Sequence, residues 1–245
     1  MDGIERGQLK VMPIHAVTEV YGEAGLRVLF DVESEAFPDD ERAAMLRAER
    51  VASRLHAADK RVREPYVNHL LRVAIRIIRH YQVRDPEVVV AALLHDAVED
   101  HPGDLADLAG AAERAAGERE AALIVLSRAF TPRVAELIAA VTNPHYDPAR
   151  DKQEQYREHV VESLEANPWA RVVKLSDFTD NGVGIIHTTG PKVRKASAKY
   201  APLVPQLREF ALRPDTPLSD EVKAHIVKQL DIAADRFRAI LGQLG

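Results

Sequence analysis

Prolines and their neighbours cut this chain into helix-sized pieces, and that punctuation restricts the fold more than any other feature. Pro38-Asp39-Asp40, Asp85-Pro86-Glu87, Thr131-Pro132 and Ser219-Asp220 each read as a helix start. A short polar side chain there accepts from free backbone N–H groups, proline is preset for the first helical position, and an acid suits the positive end of the helix dipole. Asn143-Pro144 and Asn167-Pro168 read as stops, because proline disfavours helical backbone in the residue before it. Between these marks apolar residues recur at helical spacing: Met45, Ala48, Ala52 and Leu55; Leu70, Val73, Ala74, Ile77, Ile78 and Tyr81; Val134, Leu137, Ile138 and Val141; Val222, Ile226, Leu230, Ala233, Phe237 and Leu241. Further helices are expected over about 150–166 and 169–186, and a later helical region is interrupted by Pro202 and Pro205. The run Val88 to Leu94 suits a buried strand by composition, but the cap at Asp85 and the length through Ala97 favour a helix. Residues 1–38 are the least periodic, and IHAVTEVYG and LRVLFDV read as short strands or loose helical turns. The expected fold is all-α, with a weakly structured N-terminal extension (1–38), a central domain (39–190) and a C-terminal helical region (191–245) packed on that same domain.

A chain of 245 residues can bury a sizeable core without disulfides or structural metal. It has no cysteine, so thiolate chemistry is excluded and any metal must be held by His, Asp or Glu. MDGIERGQLK has no signal-peptide pattern, and no apolar run approaches the ~20 residues of a membrane span. A cytoplasmic protein is expected. A net charge of −5 makes it a poor general binder of nucleic acid, so neither nucleic acid nor membrane is an expected partner. A small polyanion remains open as a ligand, through local positive charge or a metal.

The chemistry concentrates in AALLHDAVEDHPGD, residues 91–104. His95, Asp96, Glu99 and Asp100 end an apolar run, and such groups are costly to bury without partners. Asp96, Glu99 and Asp100 lie at i, i+3 and i+4, on one helical face, where like charges repel. A divalent cation relieves that repulsion; so does exposure to water. Imidazole with carboxylate suits Mn, Fe, Zn or Ni better than Ca or Mg. His69 interrupts YVNHLLRVA just before an apolar stripe, a position usually filled by a satisfied core histidine. Lys174, Asp177 and Asn181 share a face of RVVKLSDFTDN, where Lys174 is the obvious partner for a salt-bridged aspartate.

Together these segments resemble a known family. His69, the pair His95-Asp96 and the distant Asp177 follow the H…HD…D order of the HD-domain phosphohydrolases. HDAVED resembles the HDxxED motif of the RelA/SpoT alarmone hydrolase domain, KRVREPYVNH its R-x-x-x-PY-I-x-H segment, and KLSDFTDN its KLADRLHN. The resemblance covers roughly Ala48 to Ile186 and includes nothing of the family's synthetase domain, so the chain is similar to the stand-alone small alarmone hydrolases, including the metazoan SpoT homologue. It implies that His69, His95, Asp96 and Asp177 hold one divalent metal, Mn²⁺ first, with Zn²⁺ and Fe²⁺ as alternatives. Glu99 and Asp100 would handle the protons of water and leaving group, with their roles left open. Arg61, Lys174 and Asn181 would meet the substrate. The implied reaction is hydrolysis of the 3′-pyrophosphate of (p)ppGpp, in the stringent response. The alternative is another HD-domain reaction, on a nucleoside monophosphate or the 2′-phosphate of NADPH.

The chain departs from the family pattern at three positions. Leu70 stands where the family has proline, and Phe178 and Asp180 stand where it has arginine and histidine beside the nucleotide. Lys60 and Arg63 read as phosphate clamps or as a solvated basic turn, and TTGPKVRKASAKY as a basic segment able to reach a phosphate. The C-terminal tail is read as cover for the domain or the site, or as the interface of a homo-oligomer.

Overall fold

The computed structural model describes residues 5–187 and 190–242, so Thr188 and Thr189 of the basic segment lie outside the described residues. Among the described residues the chain is helical without strands, apart from an isolated bridge between Lys60 and Pro65. The all-α reading holds, and most helix boundaries fall where the caps put them. Asp85 accepts from Glu87 N and Val88 N and starts Pro86–Leu94. Asn167 accepts from Trp169 N and Ala170 N and starts Pro168–Gly182, and Ser219 accepts from Val222 N and starts Asp220–Leu241. The chain divides into two compact units, Met1–Ala139 and Ala140–Gly245.

In the first unit Val67–Arg79 is the central helix, buried along its whole length except Arg79. Ile14–Ser34 and Pro86–Leu94 both pack on it, and Asp39–Leu55 packs on Pro86–Leu94. The N-terminal extension is therefore not weakly structured, and neither of its segments is a strand. Arg6–Val11 and Ile14–Ser34 are helices that bury Leu9, Ile14, Val17, Leu26, Leu29 and Phe30. The helical period is hidden by Gly22, at φ +60° and ψ −147°, which kinks the helix so that the stripes on its two sides do not run on. Glycine has no Cβ to strain in that conformation.

In the second unit the C-terminal helices Pro191–Tyr200, Val204–Leu212 and Asp220–Leu241 join Lys152–Ala166 and Pro168–Gly182 in one core. Phe178 is 1% exposed and meets Tyr200 and Phe237 edge-on, with ring centroids 5.8 Å and 6.2 Å away. The position that the family gives to arginine beside the nucleotide is here a core residue that ties Pro168–Gly182 to the last helix.

Arg171 anchors the same helix. It is fully buried; Nε donates to Leu164 O, and the two guanidinium ends reach both Asp215 carboxylate oxygens, Glu165 O and Thr216 Oγ1. The guanidinium holds the Asp215 carboxyl down at about 2, with Arg213 adding to it. Arg171→Met is expected to cost about 3 kcal/mol in denaturant unfolding, because it leaves buried carbonyl oxygens without donors. A loss below about 1 kcal/mol would contradict that role.

Candidate metal centre and active site

The helix Pro86–Leu94, apolar from Val88 onward, ends one turn earlier than its composition suggests. His95 and Asp96 form the turn after it, and Ala97–Asp100 begins a new short helix with Asp96 at its N-cap. His95 itself turns back: Nδ1 donates to Ala92 O at 2.8 Å. A carbonyl only accepts, so Nδ1 carries a proton and the ring presents Nε2 to the other side. There it stands 3.1 Å from Asp96 Oδ2, and His69 Nε2 stands 3.7 Å from the same oxygen. His69 comes from the first turn of Val67–Arg79. The two rings meet edge-to-face at 5.3 Å, and both histidines are about as buried as core leucines, at 1% and 2% exposed.

Two imidazole nitrogens and a carboxylate oxygen thus lie within 4.8 Å of one another. This donor set could hold a borderline divalent cation, and the Ala92 contact fixes the His95 imidazole in the tautomer that leaves Nε2 open to one. Tyr66, one turn before His69, donates its hydroxyl to Asp96 Oδ2 at 2.7 Å, and burial followed by the Asp96 charge keeps the phenol protonated. Tyr66 lies in the PYxxH segment, yet no spacing rule singles it out. Its part is visible only once Asp96 folds back onto it.

Glu99 and Asp100 follow within the turn, and Asp100 N donates to Asp96 O at 2.9 Å. Partial burial, then the charges of Asp96 and Glu99, push the Asp100 carboxyl up to about 6. The folded chain thus binds this proton more tightly than the unfolded chain. The associated stability is complete below the ordinary aspartate value of 3.8 and is lost as pH rises through about 6. Asp100 is exposed, so solvent screening keeps the effect small. In chelated protein, Asp100→Asn should raise Tm at about pH 7 and leave it unchanged at about pH 4. An equal offset at both would rule out the titration.

Arg61 belongs to the same unit, half-buried, with its guanidinium 5.9 Å from the Tyr66 ring centroid. Lys60 and Arg63 are exposed. The remaining candidates sit in the second unit. Asp177 is buried, and both of its oxygens are held: Lys174 Nζ donates to Oδ2 at 2.9 Å and Asn181 Nδ2 to Oδ1 at 2.6 Å. Burial alone would lower the Lys174 ammonium, but Asp177 outweighs it and raises it well above the usual lysine value. The salt-bridged aspartate expected from spacing is present.

Residues 66–182 match the family model described as the HD domain. This segment is an HD domain. The chain is 30% identical over 117 residues to a guanosine-3′,5′-bis(diphosphate) 3′-pyrophosphohydrolase of Drosophila melanogaster, covering 48% of this chain and 54% of that one. It is 32% identical over 141 residues to the human protein of the same name, covering 56% and 66%. To the bifunctional (p)ppGpp synthase/hydrolase SpoT of Escherichia coli it is 27% identical over 179 residues, 69% of this chain and 22% of that one. The chain spans about half the length of the insect relative and far less of the bacterial one. A solved structure titled as a metazoan ortholog of SpoT that hydrolyses ppGpp matches with a TM-score of 0.55 and 22% identity, over 83% of this chain and 97% of that one. It shares the fold of the HD domain and the helices around it. Among the described residues, no helix is long and apolar enough to cross a membrane.

Proposed function

We propose that the chain is a metal-dependent (p)ppGpp 3′-pyrophosphohydrolase, acting in the cytoplasm on a small nucleotide, with residues 39–190, which include the HD domain, as its catalytic domain. The observation that carries the proposal is the cluster of buried His69 and His95 with half-buried Asp96, together with an acid pair, Glu99 and Asp100, in the helical turn that starts at Asp96. Asp177 is assigned as the fourth ligand by its place in KLSDFTDN, and Mn²⁺ is the metal assigned by resemblance. What the cation supplies when bound is a water of lowered pKa and screening of phosphoryl charge.

The chain's own groups handle the rest. Water adds to the phosphorus carried by the ribose 3′-oxygen, the bond from that phosphorus to the 3′-oxygen breaks, and pyrophosphate leaves with GDP or GTP as the other product. One proton comes off the water and one goes to the 3′-oxygen. Asp100, whose surroundings favour its protonated form, suits the donor's role, and Glu99 takes the acceptor's. Tyr66 fixes the orientation of Asp96, and Lys174 and Asn181 fix that of Asp177. Arg61 is assigned to the substrate phosphates or base, with Lys174 and Asn181 completing the substrate side.

A substrate panel tests the proposal. Purified protein with Mn²⁺ is expected to release pyrophosphate from ppGpp and pppGpp, and to leave nucleoside monophosphates and the 2′-phosphate of NADPH intact. Turnover of either of the latter in preference to ppGpp would replace the proposal with that activity.

A further inference from the structure

His56, Asp59 and His101 form a second cluster in the first unit, outside every motif of the family resemblance. Two histidine rings converge there on one carboxylate oxygen: His56 Nδ1 donates to Asp59 Oδ2 at 2.8 Å and His101 Nε2 to the same oxygen at 2.7 Å. We propose that these three residues are a second divalent-cation site, with two nitrogen ligands and one oxygen ligand, that takes an ion of the Zn²⁺ or Co²⁺ kind.

Three features distinguish the cluster from a chance surface contact. First, the ligand atoms are already gathered: they lie within 4.8 Å of one another, and the two observed contacts need to open by only about 0.5 Å to reach the ~3.3 Å separation of donors on a tetrahedral ion. Second, the shell behind them is built. His101 Nδ1 donates to Asp104 Oδ2 at 3.0 Å, which is the carboxylate–histidine arrangement that orients metal-binding imidazoles. His56 is locked by the Tyr66 ring stacked on it at 4.8 Å and by His101 edge-on at 4.6 Å. Its Nε2 is buried with no hydrogen bond among the described residues, so Nδ1 is the ring's polar link to the protein. The backbone fixes Asp59 from both sides, through Asp59 N to His56 O at 3.1 Å and Tyr66 N to Asp59 O at 3.1 Å. Third, an ion has a way in, since the Asp59 side chain is 35% exposed while the His56 side chain is fully buried.

Tyr66 joins this cluster to the first. One ring stacks on His56, touches His69 edge-on at 5.7 Å and carries the hydroxyl that donates to Asp96. An ion on His56 would therefore stiffen the residue that orients Asp96.

The test is metal counting on the full chain, stripped with chelator and equilibrated with Co²⁺ alone. Wild type is expected to bind two equivalents. His101→Ala and Asp59→Ala, each partly exposed and checked by circular dichroism, are expected to bind one, and His95→Ala is expected to lose the other. Retention of two equivalents in both His101→Ala and Asp59→Ala would overturn the second site. So would a single equivalent in wild type that is lost in His95→Ala. A single equivalent lost in His101→Ala and kept in His95→Ala would uphold the second site and reject the first.

Discussion

Glu99→Gln and Asp100→Asn are each expected to lower ppGpp hydrolysis by about 10²–10⁴-fold while leaving metal content unchanged. Both substitutions keep the shape of the side chain and remove its ability to exchange a proton. Neither residue belongs to the His69, His95 and Asp96 group, so metal binding should survive. The two variants should also differ in form. Asp100→Asn removes the group whose carboxyl is pushed up to about 6, so the pH dependence of turnover that it sets should be lost with it. Glu99→Gln removes a charge that bears on Asp100, and should lower the pH at which the remaining acid titrates. Activity within about threefold of wild type in both variants would remove the acid pair from the mechanism.

His95→Ala has the other large expected effect. Its Nε2 is one of the three donor atoms of the cluster, and the ring is held there by Ala92 O from within the helix that precedes it. Without it, only one nitrogen and one carboxylate of that cluster remain. Even loss of an outer partner of a metal ligand lowers affinity by about 10–100-fold, so removal of the ligand itself should exceed about 100-fold. Metal analysis after dialysis should show the first-site equivalent gone, with hydrolysis falling in parallel. Full metal content in His95→Ala would contradict the ligand assignment.

The sequence announced most of the helices because local physics determines where they begin and end. Caps at Asp85 and Ser219 act within three residues and are used as the sequence implies, while Asn167, read only as a stop, also caps the helix that follows it. The i, i+3 and i+4 relation of Asp96, Glu99 and Asp100 survives because a new helix starts at Asp96. What could not be read depends on distant partners. The kink at Gly22 turns one helix into two stripes, which reads as absence of pattern. Phe178 looked like a missing nucleotide contact because nothing local shows that Phe237, near the end of the chain, covers it. Tyr66 reaches Asp96 across 30 positions and His101 reaches Asp59 across 42, separations at which no periodicity carries information.

The measurement that bears most directly on the central claim is release of pyrophosphate from ppGpp by the purified chain, followed before chelation, after chelation and after Mn²⁺ is restored. The account predicts release with stoichiometric GDP, its abolition by chelator and its return with Mn²⁺. Absence of pyrophosphate release from protein shown to hold metal, or release that persists in the fully chelated protein, would contradict it.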